Sequence, residues 1–133
     1  MTEKIRAALE AHLNAMPAIS TAWENANFDP AIGTPYQRVN MLYAEPNDLT
    51  MGATRRREIG IFQITLCYPE GNGSVSAHDR FDLVVTHFKR GTVLSFSGAN
   101  VLITKTPRKT TLGNIDGFYT VIASISYSSD IFN

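Results

Sequence analysis

"REIGIFQITLCYPEGNGSVSAHDRFDLVVTHFKRG", residues 57–91, carries two hydrophobic periods in succession. In its first half Phe62, Ile64, Leu66 and Tyr68 alternate with other residues, as the core-facing side of a β-strand does. The opposite side begins apolar with Ile59 and Ile61 and continues with Gln63, Thr65 and Cys67. "EGNGS", residues 70–74, is rich in turn formers and breaks the alternation. Beyond it Ala77, Phe81, Val84, Val85 and Phe88 fall at i, i+4, i+7, i+8 and i+11. That spacing predicts an amphipathic helix with one buried stripe. Ser74 or Ser76 can cap it, Lys89 and Arg90 suit its C-terminal end, and Gly91 stops it. A strand with one apolar side followed by a helix with one apolar stripe implies a helix lying on a sheet.

The flanking sequence extends this pattern. Residues 3–15 read as a helix, with Ile5, Leu9, His12, Leu13 and Met16 near a helical period, Thr2 as a cap and Pro17 as a stop. Residues 18–25 alternate as a strand with Ile19, Thr21 and Trp23 on one side, and a Pro- and Gly-containing loop follows at 26–35. Residues 36–45 form a second strand with Val39, Met41 and Tyr43 on one side. Residues 46–56 lack a period and read as a long loop. Residues 92–107 read as a hairpin around Ser97-Gly98-Ala99-Asn100, residues 108–116 as a loop, and residues 117–130 as a closing strand. Tyr119, Val121, Ala123, Ile125 and Tyr127 share one side of that strand. The expected fold is α+β: a mixed, mainly antiparallel sheet packed against two helices, in one domain spanning 1–133.

Composition narrows the function. Twelve basic and twelve acidic residues give a formal net charge of zero. Such a chain has no global field drawing it to nucleic acid or an anionic membrane. Its one cysteine, Cys67, permits neither an internal disulfide nor a cysteine-based metal cluster. The N-terminal stretch scatters charges through its apolar residues, unlike a signal peptide, and no apolar run approaches the ~18 residues of a membrane span. A soluble, cytoplasmic protein is expected.

Few residues suggest catalysis. His78 and Asp82 stand at i, i+4, so a base with its orienting carboxylate is one reading and a solvated helix pair is the other. His12 lies on the apolar edge of its helix, and His87 on the polar side of the later one. "HDRFD" lacks the two-histidine spacing of a metal site, and Gly71 and Gly73 lack the Lys-Ser/Thr of a phosphate loop. No cofactor, metal or catalytic residue is expected. The arginine cluster Arg55, Arg56 and Arg57, with Thr54 and Met51 in the same loop, is a candidate partner contact.

Residues 17–39 carry a resemblance. Pro17, Ile19, Ala22, Trp23, Glu24, Asn25, Phe28 and Pro30, followed by Pro35, Tyr36, Arg38 and Val39, are similar to the pattern of the bacteriophage tail terminator, or tail completion, proteins related to the lambda-type terminator. Residues 56–94, with their Pro-x-Gly-x-Gly turn and Arg-Gly-Thr, and the Tyr-containing closing strand resemble the same family. The chain departs from it in a short "SGAN" hairpin tip. The variable 47–57 loop gives no basis for transferring contacts residue by residue. The resemblance implies a non-enzymatic virion protein that forms a hexameric ring on the tail tube, ends its polymerisation and offers a head-joining surface. It further implies a monomer or weak associate when free, and as partners the tube protein, a head-completion or connector protein, and DNA passing through the ring. The arginines would then meet the tube or a neighbouring subunit, or more remotely DNA. A neck protein of similar fold, and a small enzyme using His78 and Asp82, are the alternatives.

Trp23 and Phe28 are expected to be structural anchors at the sheet edge. Trp23→Ala is predicted to destabilise the protein by about 3–5 kcal/mol, measured by urea unfolding. A change near zero would instead mean an aromatic exposed for contact.

Overall fold

Strand formation at the centre of the chain follows from its apolar alternation. In the computed structural model, which describes residues 2–16, 20–23, 34–44, 47–48, 55–69, 71, 75–115 and 117–132, that strand runs further than its alternation, from Arg55 to Pro69. In chain order the described elements are α1 (Thr2–Asn14), β1 (Ser20–Ala22), β2 (Tyr36–Tyr43), β3 (Asn47–Asp48), β4 (Arg55–Pro69), α2 (Val75–His87), β5 (Val93–Phe96), β6 (Ala99–Ile103), β7 (Arg108–Ile115) and β8 (Phe118–Phe132). β4 pairs antiparallel with β8 along its whole length, from Arg55↔Phe132 to Pro69↔Phe118. On its other side β4 meets β2 and then β3, while β8 meets β7 and then β6. The main path is β1-β2-β4-β8-β6-β5, and among the described strands only β1 and β2 pair in parallel. The sheet is thus mixed and mostly antiparallel, in an α+β fold.

Both helices cover one side of the sheet. α2 lies on β4 and β8, and α1 on β5 and β6. Between the layers Phe62, Ile64 and Leu66 of β4 meet Val121, Ala123 and Ile125 of β8. Val39, Met41, Val101 and Ile103 extend this floor to either side. Ile5, Leu9 and Leu13 of α1, and Ala77, Phe81 and Val84 of α2, close it from above. Each fully buried aliphatic or aromatic side chain of this kind contributes roughly 1.5–3 kcal/mol. The predicted stripes of both helices and of β4 and β8 are therefore the core. Val85, Tyr68 and Tyr119 pack on it only partly buried, and Tyr43, at the end of β2, is exposed. Ile19, Pro17 and Ser74 lie outside the described residues.

One polar group sits inside the α2 stripe. Arg80 is buried and donates to Gln37 Oε1 at 3.3 Å, and Gln37 Nε2 donates to Thr21 Oγ1 at 3.0 Å. This chain of hydrogen bonds ties α2 through β2 to β1. Burial lowers the Arg80 pKa, with Tyr68 opposing.

Four expectations are corrected. Residues 108–115, read as a loop, form β7, paired to β8 with Ile115 opposite Phe118. Its side chains are mostly exposed, so it has no apolar period to read. The usable signal is the Asp-Gly in the sequence between the paired residues, one of the preferred two-residue hairpin sequences. A bulge between Thr111 and Gly113, with Gly113 at φ +78°, further breaks the alternation. The β5–β6 turn is also tighter than "SGAN". Only Ser97 and Gly98 turn, at φ +46° and +87°, as a two-residue primed turn requires, and Ala99 and Asn100 already belong to β6. The 46–56 stretch contains the strand β3 and the start of β4. Finally, the closing strand β8 runs to Phe132 and does not end at 130, which gives β4 a backbone partner from Arg55 onward.

Gly60 marks a close approach. A Cβ built there would lie 2.6 Å from the Leu42 carbonyl oxygen and 2.7 Å from the Tyr127 hydroxyl. Burial, followed by Tyr43 and Glu58, pushes the Tyr127 phenol up to about 12, with Arg6 acting the other way. A folded-state phenol that ionises later than the unfolded one favours folding below the ordinary value of 10.0 and loses that contribution as pH rises towards 12. Stability is therefore predicted to fall across this alkaline window in denaturant titrations, and to fall less in Tyr127→Phe. An equal loss in both proteins would contradict it.

Candidate interaction surface

The arginine cluster lies in regular structure. Arg56 and Arg57 pair with Asp48 and Asn47 of β3 on one side, and with Ile131 and Asp130 of β8 on the other. Backbone partners on both flanks override the weak strand preference of a charged run. Arg57 Nε donates to Asp130 Oδ1 at 2.8 Å, and its Nη2 donates to Oδ2 at 3.4 Å, a two-pronged ion pair. The hydrogen bond and charge of Asp130 raise the guanidinium pKa further. The two side chains are 42% and 28% exposed, so solvent screening makes the pair a weak contributor to stability. Thr54, Met51 and the side chains of Arg55 and Arg56 lie outside the described residues.

Arg57 and Asp130 form one wall of a groove of about 440 Å³, on the side of the sheet away from the helices. Val93, Asn100, Leu102, Thr104 and Ser128 complete it. The groove opens where β6, paired to β8 at Leu102↔Ser128 and Ile103↔Tyr127, diverges from it. Ser129 Oγ donates to the Asn100 carbonyl at 2.7 Å, and Ser95 Oγ to Asn100 Oδ1 at 2.8 Å, which steadies the β5–β6 side. Val93 and Leu102 remain 61% and 40% exposed. Exposed apolar side chains beside an arginine ion pair have the mixed character of a protein contact surface. The lining has hydroxyls, an amide and an ion pair, and neither imidazole nor thiol.

The histidines are arranged differently from their sequence reading. His78 does not meet Asp82. Its Nε2 shares a hydrogen bond with the Tyr119 hydroxyl at 3.1 Å, and its Nδ1 is buried without a hydrogen-bond partner. Asp82 is exposed, and its backbone carbonyl accepts from Thr86 Oγ1. The helix turns His78 towards β8, which separates it from the carboxylate and leaves no base-and-orienter pair. His87, expected on the polar side of its helix, is half-buried and stacked on His12, with ring centres 3.8 Å apart and planes 9° from parallel. His12 Nε2 donates to the His87 carbonyl at 2.7 Å, and His87 Nε2 donates to the His12 carbonyl. Phe88 meets both rings edge-on.

Among the expected anchors, Trp23 is half-buried and packs against the core beside β1, whereas Phe28 lies outside the described residues. No cluster of three or more potential metal ligands occurs among the described residues. No helix among them is long and apolar enough to cross a membrane. Asp130 was not singled out from sequence. It stands 73 positions from Arg57, and no local pattern links the two.

Comparison with known proteins identifies the family. A family model described as "Phage tail terminator protein" matches residues 4–127, nearly the whole chain. A solved structure superposes with a TM-score of 0.79 at 26% sequence identity, covering 100% of this chain and 98% of the other. No curated protein matches. The family is a structural one, which places the protein in the virion tail among other tail proteins. The chain belongs to the phage tail terminator family.

Proposed function

We propose that the protein closes the end of the phage tail tube as a ring of copies, stops tube polymerisation and offers the surface to which the head is joined. The observation that carries this reading is the family match across residues 4–127. The architecture supports it. A closed ring needs contacts between two unlike patches of the same chain. The main path of the sheet ends in unlike strands, the three-residue parallel β1 and the antiparallel hairpin strand β5. Its two sides also differ, one covered by helices and the other bearing the Arg57–Asp130 groove. Val93 and Phe96 of β5 leave apolar surface exposed at one end. Zero net charge keeps neighbouring copies from repelling one another.

In this reading the ring has six copies, one side meeting the tube protein and the other the head-completion or connector protein, with DNA passing through. Arg55, Arg56 and Arg57, with Thr54 and Met51, contact the tube or the neighbouring copy. Native mass spectrometry of the free protein and electron microscopy of purified tails test the assembly. A six-fold ring at the head-proximal end is expected, and its absence there would overturn the reading.

Replacing Arg55, Arg56 and Arg57 together by alanine is predicted to leave the protein folded, because the ion pair lost is solvent-exposed and weak. The same variant should fail to assemble on tails. Normal assembly would reject the contact role of the arginines.

A further inference from the structure

We infer that the His12–His87 stack is an acid-released latch joining the C-terminal ends of the two helices. The rings come from positions 75 apart in sequence and lie parallel with centres 3.8 Å apart. Each donates its Nε2 proton to the other residue's backbone carbonyl. α2 ends at His87, so that carbonyl belongs to the last turn, where intrahelical donors run out. The partner ring supplies one. Donation from Nε2 leaves Nδ1 bare in the neutral form, so the latch closes with both rings uncharged.

Acid changes the balance. A first proton is tolerated, because a cation suits a helix C-terminus. A second places two like charges in a parallel stack. Among the described residues lining the pair there is no carboxylate to offset them. Ala8, Ala11 and Ala15 face the pair from α1, Thr92, Val93, Leu94 and Ser95 from the β5 side, and Leu83 and Thr86 from α2. The exposed Lys89 and Arg90 that follow α2 add charge of the same sign. Burial first, and the charge of His87 after it, lower the His12 pKa, while the bond to the His87 carbonyl acts the other way. Folded His12 therefore binds a proton less readily than a free imidazole, whose ordinary value is 6.5. The latch is at full strength above that value and weakens as pH falls through it. Its release frees the end of α1 beyond Leu13 from α2.

The test uses the full chain. NMR titration of the His12 imidazole should place its protonation below 6.5, and His87→Gln should move it upward. Denaturant unfolding should show the unfolding constant rising at least about tenfold from roughly pH 7.5 to roughly pH 5 in the wild type. In a His12→Gln/His87→Gln variant, which keeps an uncharged donor near each Nε2, the rise should be under about threefold. The two proteins differ only at the latch, so the comparison isolates it. A His12 titration at or above 6.5, one that does not respond to His87→Gln, or an unchanged pH sensitivity in the double variant, would overturn the latch. Should the variant fail to fold, the wild-type titration decides alone.

Discussion

The antiparallel ladder between β4 and β8 is the constraint on which the other elements depend. It runs unbroken from Arg55↔Phe132 to Pro69↔Phe118. Two strands flank it on each side, β2 and β3 along β4, and β7 and β6 along β8. Its register sets which side chains meet the helices. A slip of one residue would move Phe62, Ile64 and Leu66 to the side the helices do not cover. The opposite side could not supply their place, since it carries Gln63 and Thr65 on β4 opposite Ser124 and Ile122 on β8. The apolar alternation and the ladder therefore enforce one another. The helices then dock where that alternation points.

What was legible in the sequence follows from this arrangement. α1, α2, β2, β4 and β8 each bury one face, so each carries a period of 3.6 or 2 that can be read directly. β7 buries almost nothing and exists because β8 offers it a partner, so its polar composition looked like a loop. The same holds for Arg55–Arg57, which extend β4 only because β8 reaches Phe132. The pairs that give the surface its chemistry are less visible still. Arg57 with Asp130, and His12 with His87, are brought together by tertiary packing across more than half the chain. His78 shows the reverse error. Helical spacing allowed it to meet Asp82, and packing turned it to Tyr119. Family resemblance was more legible than any of these contacts, because it drew on order and spacing along the whole chain.

The polar interior has a consistent pattern. Arg80, Gln37 and Thr21 link α2 to the edge strand β1, and the histidine pair links α2 to α1. Both connections start from α2, the one helix laid on the central ladder. The peripheral elements are thus fixed by directional bonds in addition to apolar packing. Buried polar groups tolerate fewer alternative arrangements than apolar contacts do. A protein that works by presenting surfaces to other tail proteins depends on such fixed geometry more than on a perturbed base or nucleophile.

The ladder also shapes how the chain reaches its native state. Residues opposed across β4 and β8 are far apart in sequence, as the 73 positions between Arg57 and Asp130 illustrate. Bringing them together requires loop closure before any backbone bond rewards it. The β5–β6 and β7–β8 hairpins, by contrast, need only two-residue turns. Local hairpins and helices can therefore form early, while the central ladder waits on a rare long-range encounter. Topologies dominated by such encounters fold slowly compared with helical proteins of similar stability. Until that encounter, the apolar face of β4 has no cover, and the interval before closure is when the chain is most open to association with its own copies.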